Sequence, residues 1–106
     1  MPSTWGLDRT AEGVFVHGEV DLSSAERFAE DASKAVMEAP ATTFLVDLSG
    51  VTFMDSAGLR ALIRVMELRS GKSLIVQPSR PVFKVLQLVA LTDGVLPNVE
   101  ILEPPA

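Results

Sequence analysis

The stretch Val51-Thr52-Phe53-Met54-Asp55-Ser56-Ala57-Gly58-Leu59 lies between an apolar run, Thr43-Phe44-Leu45-Val46-Asp47-Leu48, and a helical periodicity from Ala57 to about Ser70. A strand, a connection over 49–55 and a helix, in that order, make an α/β unit. The near-continuous apolarity of Thr43 to Leu48 predicts a strand covered on both faces, as parallel strands are. The helix carries Leu59, Leu62, Ile63 and Met66 on one face and Arg60, Arg64 and Glu67 opposite. A smaller strip of Ala61, Val65 and Leu68 reads as contact with a neighbouring helix or as part of a partner surface. Arg69 and Lys72 complement the negative helix end, and Gly71 suits the C′ position.

Asp-Ser-x-Gly at a helix start places a hydroxyl where backbone N–H groups and the positive end of the dipole converge. In one reading Ser56 or Asp55 simply caps the helix, and Val51, Phe53 and Met54 pack beneath the loop. In the other, those three residues are an exposed apolar approach to Ser56, and the surface binds a protein under control of phosphorylation.

Working outward, residues 3–9 alternate weakly around Trp5 and Leu7, Thr10-Ala11-Glu12-Gly13 reads as a turn, and Val14 to Val20 as a second strand. So short a connection predicts an antiparallel hairpin. Ser23-Ser24-Ala25-Glu26 has the form of a capping box. Ala25, Phe28, Ala29, Ala32 and Val36 then share a helix face, and Pro40 ends the helix. Downstream, Leu74-Ile75-Val76 reads as a short strand. Ser79-Arg80-Pro81 opens a helix to Leu91 with a core stripe of Val82, Val85, Leu86 and Val89. Thr92-Asp93-Gly94 terminates it, Val99 to Leu102 alternates as an edge strand, and Glu103 to Ala106 is a frayed tail. The order β-β-α-β-α-β-α-β predicts an α/β fold with a mixed, mostly parallel sheet of four to five strands packed with helices. Sites in such sheets lie beyond the carboxyl ends of the strands. Asp21, Asp47, Ser49, Asp55 and Ser56 fall there in this reading.

The chain has 106 residues, 47% of them apolar, which suits one soluble globular domain over 1–106. Fourteen acidic against nine basic residues give a net charge of −5 and a pI near 4.7. That balance disfavours phosphate-tracking contact with nucleic acid and binding to an anionic membrane. There are no cysteines, so disulfides, thiolate metal sites and a Cys nucleophile are excluded. Met1 to Trp5 lacks the pattern of a signal peptide, and no apolar run approaches the roughly 18 residues of a membrane helix. A cytoplasmic location is expected.

The inventory argues against catalysis. There is no G-x-S-x-G elbow, and the one histidine, His17, lies mid-strand as a solvated residue. Asp21, Asp47 and Asp55 do not make a receiver-type phosphoacceptor site, because the acidic pair after the first strand and the late lysine are missing. Gly50 and Gly58 are isolated and form no phosphate-cradling loop.

Leu48-Ser49-Gly50-Val51-Thr52-Phe53-Met54-Asp55-Ser56-Ala57-Gly58-Leu59 closely resembles the signature of STAS domains, the family of anti-sigma factor antagonists and sulphate-transporter tails. Gly18-Glu19-Val20-Asp21 matches that family's Gly-Glu-aliphatic-Asp, and Pro81, Val82 and Lys84 fit its last helix. The resemblance covers essentially the whole chain and implies a single STAS-like domain of the free-standing bacterial antagonist type. It implies partner switching. The unmodified protein binds an anti-sigma factor serine kinase and frees a sigma factor. Phosphorylation of Ser56 ends the complex, and a PP2C-type phosphatase resets it. Asp21, Asp55, Ser56, Gly58 and Leu59 are then the partner-binding residues, and no cofactor is expected, since ATP and magnesium belong to the kinase. Many members have Ser-Ser where this chain has Ser56-Ala57, which leaves Ser56 as sole acceptor. The resemblance also admits a non-switching STAS subunit of a stress-signalling scaffold or lipid-transport system, and a small-ligand or nucleotide sensor is a third possibility.

Overall fold

The computed structural model describes residues 4–68, 70–92 and 96–105. Eight elements alternate as the sequence predicts: β1 (Trp5–Arg9), β2 (Gly13–Val20), α1 (Ala25–Glu38), β3 (Thr43–Met54), α2 (Ser56–Leu68), β4 (Ser73–Pro78), α3 (Arg80–Leu88) and β5 (Val99–Ile101). The five strands lie in sequence order across one sheet. β1 is antiparallel to β2, with Leu7 opposite Val16, and β2 through β5 are parallel. The expected hairpin and the mixed, mostly parallel sheet are both present.

Burial alternates along the strands. Val14 and Val16, Phe44, Val46 and Leu48, and Leu74 and Val76 point into one core with Phe28, Leu62, Met66 and Leu86 from the three helices. The opposite sheet face is open: Phe15 is 37% and Leu45 39% exposed. The expectation that Thr43–Leu48 would be covered on both faces is therefore corrected. Only Leu45 broke the alternation in the sequence, and it lies beside Ile75 on the open face. His17 also lies on that face, stacked on Phe15 with ring centroids 5.7 Å apart.

The second correction concerns residues 49–54, which are strand and not connection. β2 keeps pairing with β3 as far as Val20 opposite Met54. From Phe15–Asp47 to His17–Gly50, β3 advances one residue further than β2, and it does so again from Gly18–Val51 to Glu19–Phe53. Each extra residue is a β-bulge that re-aims the side chains following it. The inward series thus runs Leu48, Val51, Met54, all at most 5% exposed, instead of following a period of two. Gly50 permits the first bulge: a Cβ there would sit 2.8 Å from Phe15 Cζ and 2.9 Å from His17 Cβ.

Helix ends differ from expectation in two places. The N-cap of α1 is Ser24, one residue after the serine that a Ser23–Glu26 capping box would use, and its side chain makes no cap bond. Ser24 Oγ instead donates to Glu19 O at 2.9 Å and accepts from Asp21 N at 3.0 Å, tying the helix start back to β2. At α3 the Ser79 side chain accepts from Val82 N, with Pro81 in the first turn, as expected. That helix stops at Leu88, so Val89 is its C-cap, 45% exposed, and drops out of the core stripe. Arg69, Asp93 and Gly94 lie outside the described residues. Of the strip Ala61, Val65 and Leu68 on α2, the first two are buried, which accords with contact between α1 and α2, and Leu68 is exposed.

Candidate functional site

Two strand ends meet at the carboxyl edge of the sheet. β2 ends at Val20 and turns through Asp21-Leu22-Ser23-Ser24 into α1, and β3 ends at Met54 and passes through Asp55 alone into α2. Asp55 joins them. Its Oδ1 accepts from Gly58 N at 2.9 Å, the N-cap bond of α2, and its Oδ2 accepts from Leu22 N at 3.1 Å. Both oxygens of one carboxylate are thus held by backbone donors, which fixes the β2–α1 turn against the first turn of α2.

Asp55 is therefore the cap, and Ser56 is the first residue of α2. Ser56 is exposed, and its hydroxyl has no protein partner among the described residues. Capping is done without it. Of the two caps the sequence offered, Ser56 and Asp55, the structure uses Asp55, which reaches the Gly58 amide.

Gly58 brings α2 close to the sheet. A Cβ at this position would lie 2.2 Å from the Val20 carbonyl oxygen and 2.9 Å from Met54 Cγ. Only hydrogen fits between the helix and the end of β2. Gly58 and Leu59, expected among the partner-binding residues, are both buried, Leu59 at 9% exposure. They set the position of Ser56 from beneath and offer no surface. Asp21 is half-buried and organises its own turn: Oδ1 accepts from Ser23 N at 3.0 Å and from Ser23 Oγ at 2.7 Å.

Of the two readings of Val51, Phe53 and Met54, packing beneath the loop holds for two and exposure for one. Val51 and Met54 are in the core, and only Phe53 is exposed, at 49%. The sequence reading missed Leu22, which is 79% exposed on the turn that Asp55 holds. An exposed leucine inside Asp-Leu-Ser-Ser was the available signal. Leu22 also lines a groove between α1 and α2 with Glu26, Ala57, Arg60 and Arg64. Arg64 spans that groove to Glu26 at 3.5 Å. Asp47 and Ser49 lie further back on β3, where Asp47 Oδ1 accepts from Ser49 N. Among the described residues no group of three or more histidines and carboxylates is placed to hold a metal ion, and no helix is long and apolar enough to cross a membrane.

Residues 9–101 match the STAS domain family. The chain is 31% identical over 77 residues to an anti-sigma F factor antagonist of Lysinibacillus sphaericus, a match that takes in 70% of this chain. It spans 66% of that relative, slightly under two thirds of its length. Among solved structures, an anti-sigma factor antagonist from Mycobacterium paratuberculosis has the same fold, with a TM-score of 0.65 at 24% identity over 92% of this chain and 85% of that one. The Bacillus cell fate determinant SpoIIAA in its phosphorylated form aligns with a TM-score of 0.58 at 24% identity, over 94% of this chain and 92% of that one.

Proposed function

This chain belongs to the STAS domain family, and we propose that it is an anti-sigma factor antagonist switched by phosphorylation of Ser56. Unmodified, it binds an anti-sigma factor that is also a serine kinase. Ser56 Oγ then takes the γ-phosphoryl group of ATP on that kinase, ADP leaves, and the hydroxyl proton passes to a base of the kinase. The complex dissociates, and a PP2C-type phosphatase returns the protein to its binding form.

The observation that carries this reading is the division of labour between adjacent residues. Asp55 satisfies the helix start, so the Ser56 hydroxyl is left free at the head of α2, next to the turn that carries exposed Leu22. A serine engaged in the cap bond would have to release it to enter a kinase active site. This one is not so engaged. A phosphate adds about −1.5 to −2 charges at neutral pH. At the helix N-terminus the dipole tolerates that charge, whereas inside a desolvated interface it is repelled by partner carboxylates and costly to bury. A loss of about 2.8 kcal/mol lowers affinity about a hundredfold.

Incubation with the cognate kinase and ATP is expected to add one phosphate, and Ser56→Ala is expected to abolish it while keeping partner binding. Phosphate on another residue, or stable co-purification of Ser56→Asp with the same partners as the unmodified protein, would overturn the switch. The second outcome would point to the constitutive scaffold or transporter subunit.

A further inference from the structure

The groove beside Ser56 carries an arginine that the proposed cycle leaves without a role. Arg60 is exposed on α2, one turn after Ser56, and among the described residues it forms no ion pair. Its neighbour Arg64 is engaged with Glu26 across the groove. Helical side chains lean toward the N-terminus and lie over the residue three or four places earlier. For Arg60 those places are Ser56 and Ala57, and Arg60 and Ala57 line the same groove. An anion at i with a cation at i+4 is also the favourable order along a helix.

We propose that a phosphate on Ser56 captures Arg60 of its own helix, so that modification withdraws a cation from the exposed face in the step that adds anions to it. The inference rests on Ser56 as the phosphoacceptor. Asp55 sets the direction of capture. Its two oxygens already accept from Gly58 N and Leu22 N, so the carboxylate stays in place and repels the phosphate away from the cap. On the other side the Arg60 guanidinium can meet two phosphate oxygens at once, the geometry that favours arginine over lysine for this ligand. In the unmodified protein the same guanidinium is open to an acidic group of a partner. Phosphorylation therefore acts on the surface twice: it adds charge at residue 56 and neutralises residue 60.

The test uses the full chain with phosphoserine installed at position 56 during translation, so it does not depend on a kinase. A nearby cation favours the doubly ionised phosphate, and removing it raises the second pKa. By 31P NMR titration, Arg60→Gln is expected to raise that pKa by about 0.3 pH unit. Arg60→Lys is expected to fall between Arg60→Gln and the parent, and Arg64→Gln, about two turns from residue 56, to lie closer to the parent than Arg60→Gln does. The other charges facing the phosphate, Asp55, Asp21, Glu26 and Arg64, are the same in Arg60→Gln and the parent. The Arg60 Nε–H resonance is expected to move on phosphorylation. Coincident titrations of Arg60→Gln and the parent, with an unmoved Arg60 signal, would overturn the proposal. A clear shift in protein that the cognate kinase fails to modify would uphold the pairing and remove the switching cycle instead.

Discussion

Removing the Asp55 carboxylate separates the two bonds that hold the site together. In Asp55→Ala the Gly58 amide loses its cap acceptor, worth about 1 kcal/mol. The Leu22 amide loses a bond to a charged group that is exposed to water, worth about 1 kcal/mol at most in that setting. The expected total is about 2 kcal/mol, or a fall in Tm of about 8 °C for a domain of this size. Asp55→Asn keeps one carbonyl acceptor and is among the preferred capping residues, so it is expected to retain the Gly58 bond and lose about half as much. Urea unfolding gives the free energies, and amide hydrogen exchange assigns them. Leu22 should exchange faster in both variants and Gly58 only in Asp55→Ala. If Asp55→Ala unfolds within about 0.5 kcal/mol of the parent, or if Leu22 stays protected in Asp55→Asn, the carboxylate is not the link between turn and helix.

Gly58→Ala places a methyl group 2.2 Å from the Val20 carbonyl oxygen, and the displaced helix is expected to cost about 1–3 kcal/mol, read from thermal melts by circular dichroism. Leu62→Ala opens a cavity at a fully buried position and is expected to cost about 2–5 kcal/mol in urea unfolding. Ser56→Ala should change stability by no more than about 0.5 kcal/mol, because the hydroxyl is exposed and makes no bond within the described protein; a larger loss by the same assay would mean the serine supports the fold. Leu22→Ala should likewise unfold within about 0.5 kcal/mol of the parent, yet lower partner capture in a pull-down where Leu62→Ala protein that is still folded binds normally.

The order of elements was legible because each carries its own period. α1 and α2 have clean helical stripes, and nearly every residue on them is buried as the spacing implies. The hairpin followed from a short turn between two alternating segments. What failed was the passage from β3 to α2. Two bulges within a few residues break the period of two, and a strand with a broken period looks like a loop. Whether Val51 and Met54 were an exposed approach or packed beneath the loop was therefore open, and the bulges turn them inward. The cap was ambiguous for a different reason. Asp and Ser are nearly equal as N-caps, and only the position of Gly58 and Leu22 N selects Asp55. Ser23-Ser24-Ala25-Glu26 placed the helix start one residue early because the acceptor that holds Ser24, the Glu19 carbonyl, is set by a strand end that local spacing does not reveal. Leu22 was missed because one exposed leucine in a turn carries no periodicity at all.

The same bulges would let the proposed switch sit here without moving the fold. A regular strand of this length would carry its inward residues in even steps and deliver a different side chain to the junction with α2. With two residues added to β3, Met54 closes the core and Phe53 faces out, and Asp55 arrives where both Leu22 N and Gly58 N are within reach. The next residue is then the first one past the cap, exposed and free of structural duty. Because Gly58 packs α2 directly on the end of β2, that residue is carried on a braced helix start and not on a loose loop. A phosphate there meets a surface that cannot retreat. In the proposed cycle its effect would pass to a partner docked over Leu22 and Arg60 as a change of local charge. Hydrogen exchange compared between the parent and the phosphoserine-56 protein should therefore differ only at residues 21–26 and 55–60; spread into β4 or α3 would refute this account and require a conformational relay.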